Sequence, residues 1–207
     1  MDQMMADIAS MGGELFVMDD GWFGDKYPRK NDSSSLGDWV VDKNKLPNGI
    51  EGLLSDAKKH GVKFGIWIEP EMANTTSELY EKHPDWVLKA SERDVVLGRG
   101  GTQVVLDLAN PAVQDFVFGV VDNLMTSYPE IDYIKWDANM SVQNHGSQYL
   151  TKDNQSHMYI EFHRGFEKIC QRIRAKYPDL TIQACASGGG RANYGVLPYF
   201  DEFWVSD

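Results

Sequence analysis

Five short apolar runs recur along the chain, and each ends in polar, chemically capable side chains. They are Glu14–Met18, Lys63–Ile68, Tyr133–Trp136, Thr181–Ala184 and Glu202–Val205. Short apolar runs bounded by turn residues predict buried strands. Between them lie stretches with helical spacing: Ile50, Leu53, Leu54 and Ala57; Val113, Phe116, Val117, Val120 and Leu124; Met158, Phe162, Phe166, Ile169 and Ile173. Asn110 followed by Pro111 predicts an N-cap with proline at the first helical position. Strands alternating with helices predict parallel βα units, which a doubly wound sheet and a (β/α)8 barrel both contain. The strand ends decide between them. Asp19-Asp20, Trp67 with Glu69, Asp137, Cys185 and Asp207 close five different strands. Groups on so many strand ends meet only where a barrel closes around them, whereas an open sheet gathers its ligand groups at one switch point. An eight-stranded barrel usually takes about 250 residues, and this chain has 207. The expected fold is therefore α/β, a partial (β/α)8 TIM barrel with five of the eight strands. Residues 1–207 would form the central part of that barrel within a longer chain.

Composition narrows the partners. The formal charge is −11, and the acidic residues are dispersed rather than clustered. Such a surface repels nucleic acid and anionic lipid, so neutral substrates are expected, with no nucleic acid and no membrane. No apolar run approaches the roughly 18 residues of a membrane span. Met1 to Ser10 has neither the basic nor the apolar region of a signal peptide. This predicts a cytoplasmic protein, as do, weakly, two cysteines that are too few for a disulfide framework.

The acids carry the chemistry. Tyr133-Ile-Lys-Trp-Asp137 is an apolar strand ending in a carboxylate, and strand alternation puts Lys135 and Asp137 on one face. An ammonium that close favours the ionised acid, the state a nucleophile needs. A structural ion pair is the plainer reading of the same pattern. Phe203-Trp-Val-Ser-Asp207 repeats the layout, and two carboxylates on two strand ends are what glycoside hydrolysis uses. The adjacent Asp19 and Asp20 suit either a metal or bidentate hydrogen bonds to neighbouring sugar hydroxyls. No His or third acid stands at metal-like spacing, which favours hydroxyls over a metal; the apolar residues on both sides argue against the plainer reading, an exposed acidic turn. Trp67 is either a core tryptophan or a platform for the apolar face of a sugar. Glu69 and Glu71 are further candidate acids, although Glu69-Pro70 also reads as a rigid turn whose acid pairs with a neighbouring strand. Cys185-Ala-Ser-Gly-Gly-Gly-Arg191 lacks both the phosphate-loop and the dinucleotide-binding spacing. Its glycines suit close approach of backbone to a ligand, and Cys185 reads as a pocket wall.

Taken together, the phrases LFVMDDGWFG, SLGDWVVD, LPNGIEGL, FGIWIEPEM, HPDW, VVLDLANP, YIKWDAN, CASGGGR and FWVSD, in that order, resemble the bacterial α-galactosidases (melibiases) of glycoside hydrolase family 36. The resemblance implies a retaining glycosidase that releases terminal α-galactose from melibiose- and raffinose-type oligosaccharides through a covalent galactosyl-enzyme. It implies no metal and no organic cofactor. It places the nucleophile on Asp137 and the acid/base on Asp207. It assigns the galactose 4- and 6-hydroxyls to Asp19 and Asp20, and the sugar's surroundings to Trp67, Arg99, Lys135 and Asn139. Cys185 and Gly188 fall near the 2-hydroxyl. The chain departs from the family pattern after the nucleophile, where Ala138, Asn139 and Met140 replace the frequent Met-Asn-Arg. Two additional residues follow Arg99. The resemblance also implies that an N-terminal β-domain, the first barrel strand and the last two belong to the longer chain, and it leaves a homo-oligomeric parent open.

Four alternatives remain open at the level of sequence. α-N-Acetylgalactosaminidase or galactosyl transfer, as in raffinose synthesis, would use the same residues. A lyase would use Lys135 as a Schiff-base lysine. A non-catalytic galactose-binding module would use the pocket without Asp137 and Asp207 as a pair.

Overall fold

A computed structural model describes all 207 residues. Its frame is a five-stranded parallel sheet. The strands are β1 (Leu15–Met18), β2 (Lys63–Ile68), β5 (Tyr133–Trp136), β6 (Thr181–Ala184) and β7 (Glu202–Phe203). They lie side by side in chain order, β1-β2-β5-β6-β7, and every pairing is parallel. A doubly wound sheet reverses its order at a switch point. No reversal occurs here, so the sheet is an arc of a (β/α)8 barrel, with β1 and β7 at its two edges. All five expected strands are present. β1 begins at Leu15 rather than Glu14, and β7 is two residues long, not four.

Register sorts the side chains into two faces. Trp67, Lys135, Gln183 and Glu202 are consecutive partners across four strands and so share one face. Tyr133 lies two residues below Lys135 on that face. A Cβ on Gly65 would stand 3.0 Å from the Tyr133 ring, so the glycine leaves room for that ring. The opposite face is apolar: Met18, Ile66, Ile134 and Ile182 form one row, and Ile68, Trp136 and Ala184 the next. Trp136 meets Phe166 of helix α5 edge-on at 6.1 Å, which identifies this as the helix-covered side.

Five helices accompany the sheet: α1 (Asp2–Ser10), α2 (Gly49–His60), α3 (Glu78–Lys82), α4 (Pro111–Ser127) and α5 (Met158–Lys176). The three expected apolar stripes fall on α2, α4 and α5. In α4, Val113, Val117, Val120, Val121 and Leu124 are buried, and each contributes on the order of 1.5–3 kcal/mol by leaving water. Asn110 caps α4 by accepting from the Ala112 N–H at 3.0 Å, with Pro111 at the first helical position. α2 stops at Gly61, whose φ of 70° closes the helix in the left-handed region. None of these helices is long and apolar enough to cross a membrane.

Two strands fall outside the expected set. β3 (Met72–Asn74) and β4 (Gln103–Val105) pair antiparallel in a separate two-stranded sheet. β3 follows closely on β2 and β4 leads towards α4, so this small sheet lies within the β2-to-α4 connection. Asn74 in β3 is fully buried. Its Nδ2 donates to the carbonyls of Asp32 and Thr102, and its Oδ1 accepts from Leu36 N–H and Arg29 Nη1. The small sheet is thereby tied to the segment that leads from β1 to α2.

Candidate active site

The carboxyl ends of the strands carry the polar groups. Asp137 follows β5 directly, and its N–H donates to the Ile68 carbonyl at 2.8 Å, which continues the β2–β5 ladder. Its side chain is buried yet well supplied with donors. Oδ2 accepts from Asn139 Nδ2 at 2.7 Å and from Trp67 Nε1 at 3.1 Å, and Oδ1 accepts from the Ala138 N–H at 2.9 Å. The Cys185 thiol is a further partner. Burial works to raise the Asp137 pKa, but these hydrogen bonds outweigh it and hold the acid below the usual carboxylate range. Asp137 is therefore a desolvated, oriented and ionised carboxylate.

The cause differs from the one expected. Lys135 does share a face with Asp137, but its Nζ forms its ion pair with Asp19 Oδ2, at 2.8 Å. Burial acts to lower the Lys135 pKa, and the bond to Asp19 outweighs it and holds the ammonium above the usual lysine range. Hydrogen bonds from Asn139, Cys185 and Trp67, rather than the lysine two residues away, keep Asp137 ionised. Lys135 also lies over the ring of Trp204, at 5.0 Å.

Trp67 is not an open platform. It is 3% exposed, stacks parallel to Phe23 with centroids 6.2 Å apart, and lies beside Trp39. What it offers the site is its indole N–H. Cys185 is likewise buried, and its backbone N–H extends the ladder to the Trp136 carbonyl. Burial, with the Asp137 charge beside it, pushes the thiol up to about 12, so it stays protonated and donates.

Asn139 connects three parts of the site. Besides its bond to Asp137, its Oδ1 accepts from the Ser187 N–H at 3.2 Å and from Ser187 Oγ at 3.0 Å. Its backbone N–H donates to Glu69 Oε1. Glu69 thus pairs with the neighbouring strand's end, the turn reading given to it from sequence. Burial pushes the Glu69 pKa to about 8, and the Asp137 charge adds to this. Glu71, also buried, receives a bidentate pair from Arg191 at 2.6 and 2.9 Å and the Trp136 indole N–H at 2.7 Å. That pair ties the glycine-rich loop to the segment after β2.

Gly188 in that loop has a φ of +83°, and a Cβ there would stand 2.8 Å from Ser206 Cα and 3.2 Å from the Asp207 nitrogen. The glycine lets the loop lie directly against the backbone that carries Asp207. Asp207 itself is exposed at the last position.

Asp19 and Asp20 stand together after β1. Asp19 is exposed on the side away from its Lys135 bond. Asp20 receives both Nε and Nη2 of Arg29, at 2.8 and 2.6 Å. Arg99 lies further out, on the turn before β4, where its Nη2 pairs with Asp32 Oδ2 at 2.7 Å. The structure thus joins Asp137, Trp67, Asn139 and Cys185 in one hydrogen-bonded group and Asp19 with Lys135 in another. Sequence reasoning missed Arg29, whose only local sign is its place in a Pro28-Arg29-Lys30 turn, and the Glu71–Arg191 pair. No group of three or more His, Cys, Asp or Glu is arranged as a metal cluster.

The melibiase family model matches residues 1–207. Probable α-galactosidase C of Aspergillus flavus is 42% identical over 212 residues, covering 99% of this chain and 27% of that protein. α-Galactosidase AgaA of Geobacillus stearothermophilus is 40% identical over 199 residues, covering 96% of this chain and 26% of that protein. Among solved structures, the α-galactosidase of Lactobacillus brevis superimposes with a TM-score of 0.93 at 40% identity, over 99% of this chain and 27% of that one. The chain thus spans 26–27% of the length of these relatives.

Proposed function

This chain belongs to the melibiase family, and on that footing we propose that it carries the galactose site of a retaining α-galactosidase. The observation that carries the reading is the state of Asp137. A carboxylate that is buried, ionised and oriented by four donors is prepared to attack an anomeric carbon. In the proposed reaction Asp137 Oδ attacks C1 while Asp207 protonates the leaving oxygen, which yields a galactosyl-enzyme and a free aglycone alcohol. Asp207, now a carboxylate, takes a proton from water, and the water oxygen displaces Asp137 from C1. Asp19, Asp20 and Lys135 hold the sugar hydroxyls. Trp67, Asn139 and Cys185 hold the nucleophile. The family resemblance sets Cys185 and Gly188 near the 2-hydroxyl, which favours the hydroxyl of galactose over the acetamido group of its N-acetylated analogue.

Relatives support the substrate class. Variants of AgaA form complexes with raffinose and with stachyose. The raffinose complex carries an aspartate-to-asparagine change and the stachyose complex an aspartate-to-alanine change, at positions 70 apart in that protein. Asp137 and Asp207 are also 70 positions apart. The Schiff-base alternative fares poorly, because a lysine nucleophile needs a lowered pKa and the pair with Asp19 raises that of Lys135.

The test is the anomer released first. Proton NMR of the complete protein acting on nitrophenyl α-galactoside should show α-galactose before mutarotation. β-Galactose appearing first would exclude the covalent route, and no turnover would exclude the glycosidase.

A further inference from the structure

We propose that Arg29 is a positioning residue that fixes Asp20 for recognition of a sugar hydroxyl, and that the β3–β4 sheet serves to hold Arg29 in place. Arg29 is 5% exposed, although it carries a charge and lies in a surface turn. Its guanidinium is used on every side. Nε and Nη2 grip both Asp20 oxygens, Nη1 donates to Asn74 Oδ1 at 3.0 Å and to the Ser34 carbonyl at 2.8 Å, and the plane lies 5.3 Å from the Phe23 ring centre. Asn74, the anchor, is itself fully buried with both amide hydrogens and its oxygen engaged.

A chain of fixed contacts therefore runs from β3 through Asn74 and Arg29 to Asp20. Asp20 keeps one side open, with 30% of its side chain exposed. A forked guanidinium fixes a carboxylate in plane and azimuth, which a lysine ammonium cannot do. The open lone pairs of Asp20 then point in one direction, as a site that discriminates hydroxyl stereochemistry requires. Asp19 is held differently: its Oδ2 pairs with the Lys135 ammonium at 2.8 Å and its Oδ1 accepts from the Asp20 N–H at 2.8 Å. The two adjacent acids thus differ: a guanidinium fork grips Asp20, whereas an ammonium and a backbone N–H hold Asp19.

This inference rests on the glycosidase reading and is tested within it. In the complete protein, kcat/KM is measured for nitrophenyl α-galactoside and its 4-deoxy and 6-deoxy analogues, with Arg29→Lys, Asp20→Asn and the double variant. Ratios between substrates within one preparation do not depend on the folded fraction. The expected result is that Arg29→Lys lowers kcat/KM for the galactoside on the order of 10- to 100-fold, the range that a misplacement of about 1 Å produces. It should shrink discrimination against the same deoxy analogue as Asp20→Asn does, and the double variant should lose little more than Asp20→Asn alone. Equal losses on all three substrates, or fully multiplicative losses in the double variant, would overturn the proposal and leave Arg29 a purely structural residue. If Arg29→Lys yields no folded protein, Asn74→Ser, which removes one of the two acceptors of Nη1 but keeps the Arg29–Asp20 fork, is expected to shift the same ratio in the same direction, and an unchanged ratio overturns the proposal. Absence of turnover by the unaltered protein would overturn the glycosidase reading itself.

Discussion

Trp67 and Asp137 stand on neighbouring strands, and the indole N–H of one donates to the carboxylate of the other at 3.1 Å. The bond is buried, and it joins the aromatic group around Phe23 to the proposed nucleophile. It also lies among the hydrogen bonds that keep Asp137 ionised.

Trp67→Phe keeps an aromatic side chain, smaller than the indole, and removes this donor. Loss of a donor to the charged form raises the Asp137 pKa. The acidic limb of kcat/KM should therefore move to higher pH. A hydrogen bond to a charged group is worth about 1.5–3 kcal/mol, so the activity loss at the optimum should be roughly 10- to 100-fold. The pH–rate profile of the variant is the check; an unmoved acidic limb would show that Trp67 does not tune Asp137.

Glu69 gives a stability signature. Its pKa is raised in the fold to about 8 from an ordinary value of 4.5. The folded state then binds more protons than the unfolded one between those values, so this residue's contribution is fully present below about pH 4.5 and is lost as pH rises through about 8. Glu69→Gln removes the titration and can still accept from the Asn139 N–H. Between pH 5 and 8 the unaltered protein should lose more stability than the variant. Denaturant titrations at several pH values check this, and parallel curves would contradict it.

Gly188→Ala should injure the site through the backbone that carries Asp207. A φ of +83° in a residue with a Cβ costs on the order of 1–3 kcal/mol, and the added atom would meet the Ser206 backbone at 2.8 Å. Asp207 should shift, so kcat should fall more than KM rises. A change in KM alone would mean that the loop contacts substrate without placing Asp207.

The sheet was largely legible in the sequence because its strands fall in short, mostly apolar runs with polar residues at their carboxyl ends. The alternation that put Lys135 and Asp137 on one face held. β3 and β4 were not legible: three residues are too few to show a period, and Val104-Val105 leads directly into the Leu-Asp-Leu segment. α1 was also missed, although Met1, Met4, Met5 and Ile8 have helical spacing; the stripe is short, with only Met5 fully buried and Ile8 and Ala9 packed partly against the core. At the site, sequence named Trp67, Asn139 and Cys185 but not their bonds to Asp137; those from Trp67 and Cys185 cross to the end of β5 from β2 and from the end of β6. Lys135 was paired with its sequence neighbour Asp137, whereas the structure gives it a partner 116 residues away in Asp19. Arg29 and Glu71 owe their roles to partners just as distant from any local pattern, in Asn74 and Arg191.

The central claim is that Asp137 is the nucleophile, and the direct measurement is rescue of Asp137→Gly by azide in the complete protein. The variant should hydrolyse nitrophenyl α-galactoside at a negligible rate. Azide, filling the space left by the carboxylate, should restore release of nitrophenol and yield β-galactosyl azide, the product of a single inversion. Hydrolysis by the variant at the unaltered rate, or an azide of α configuration, would contradict the assignment.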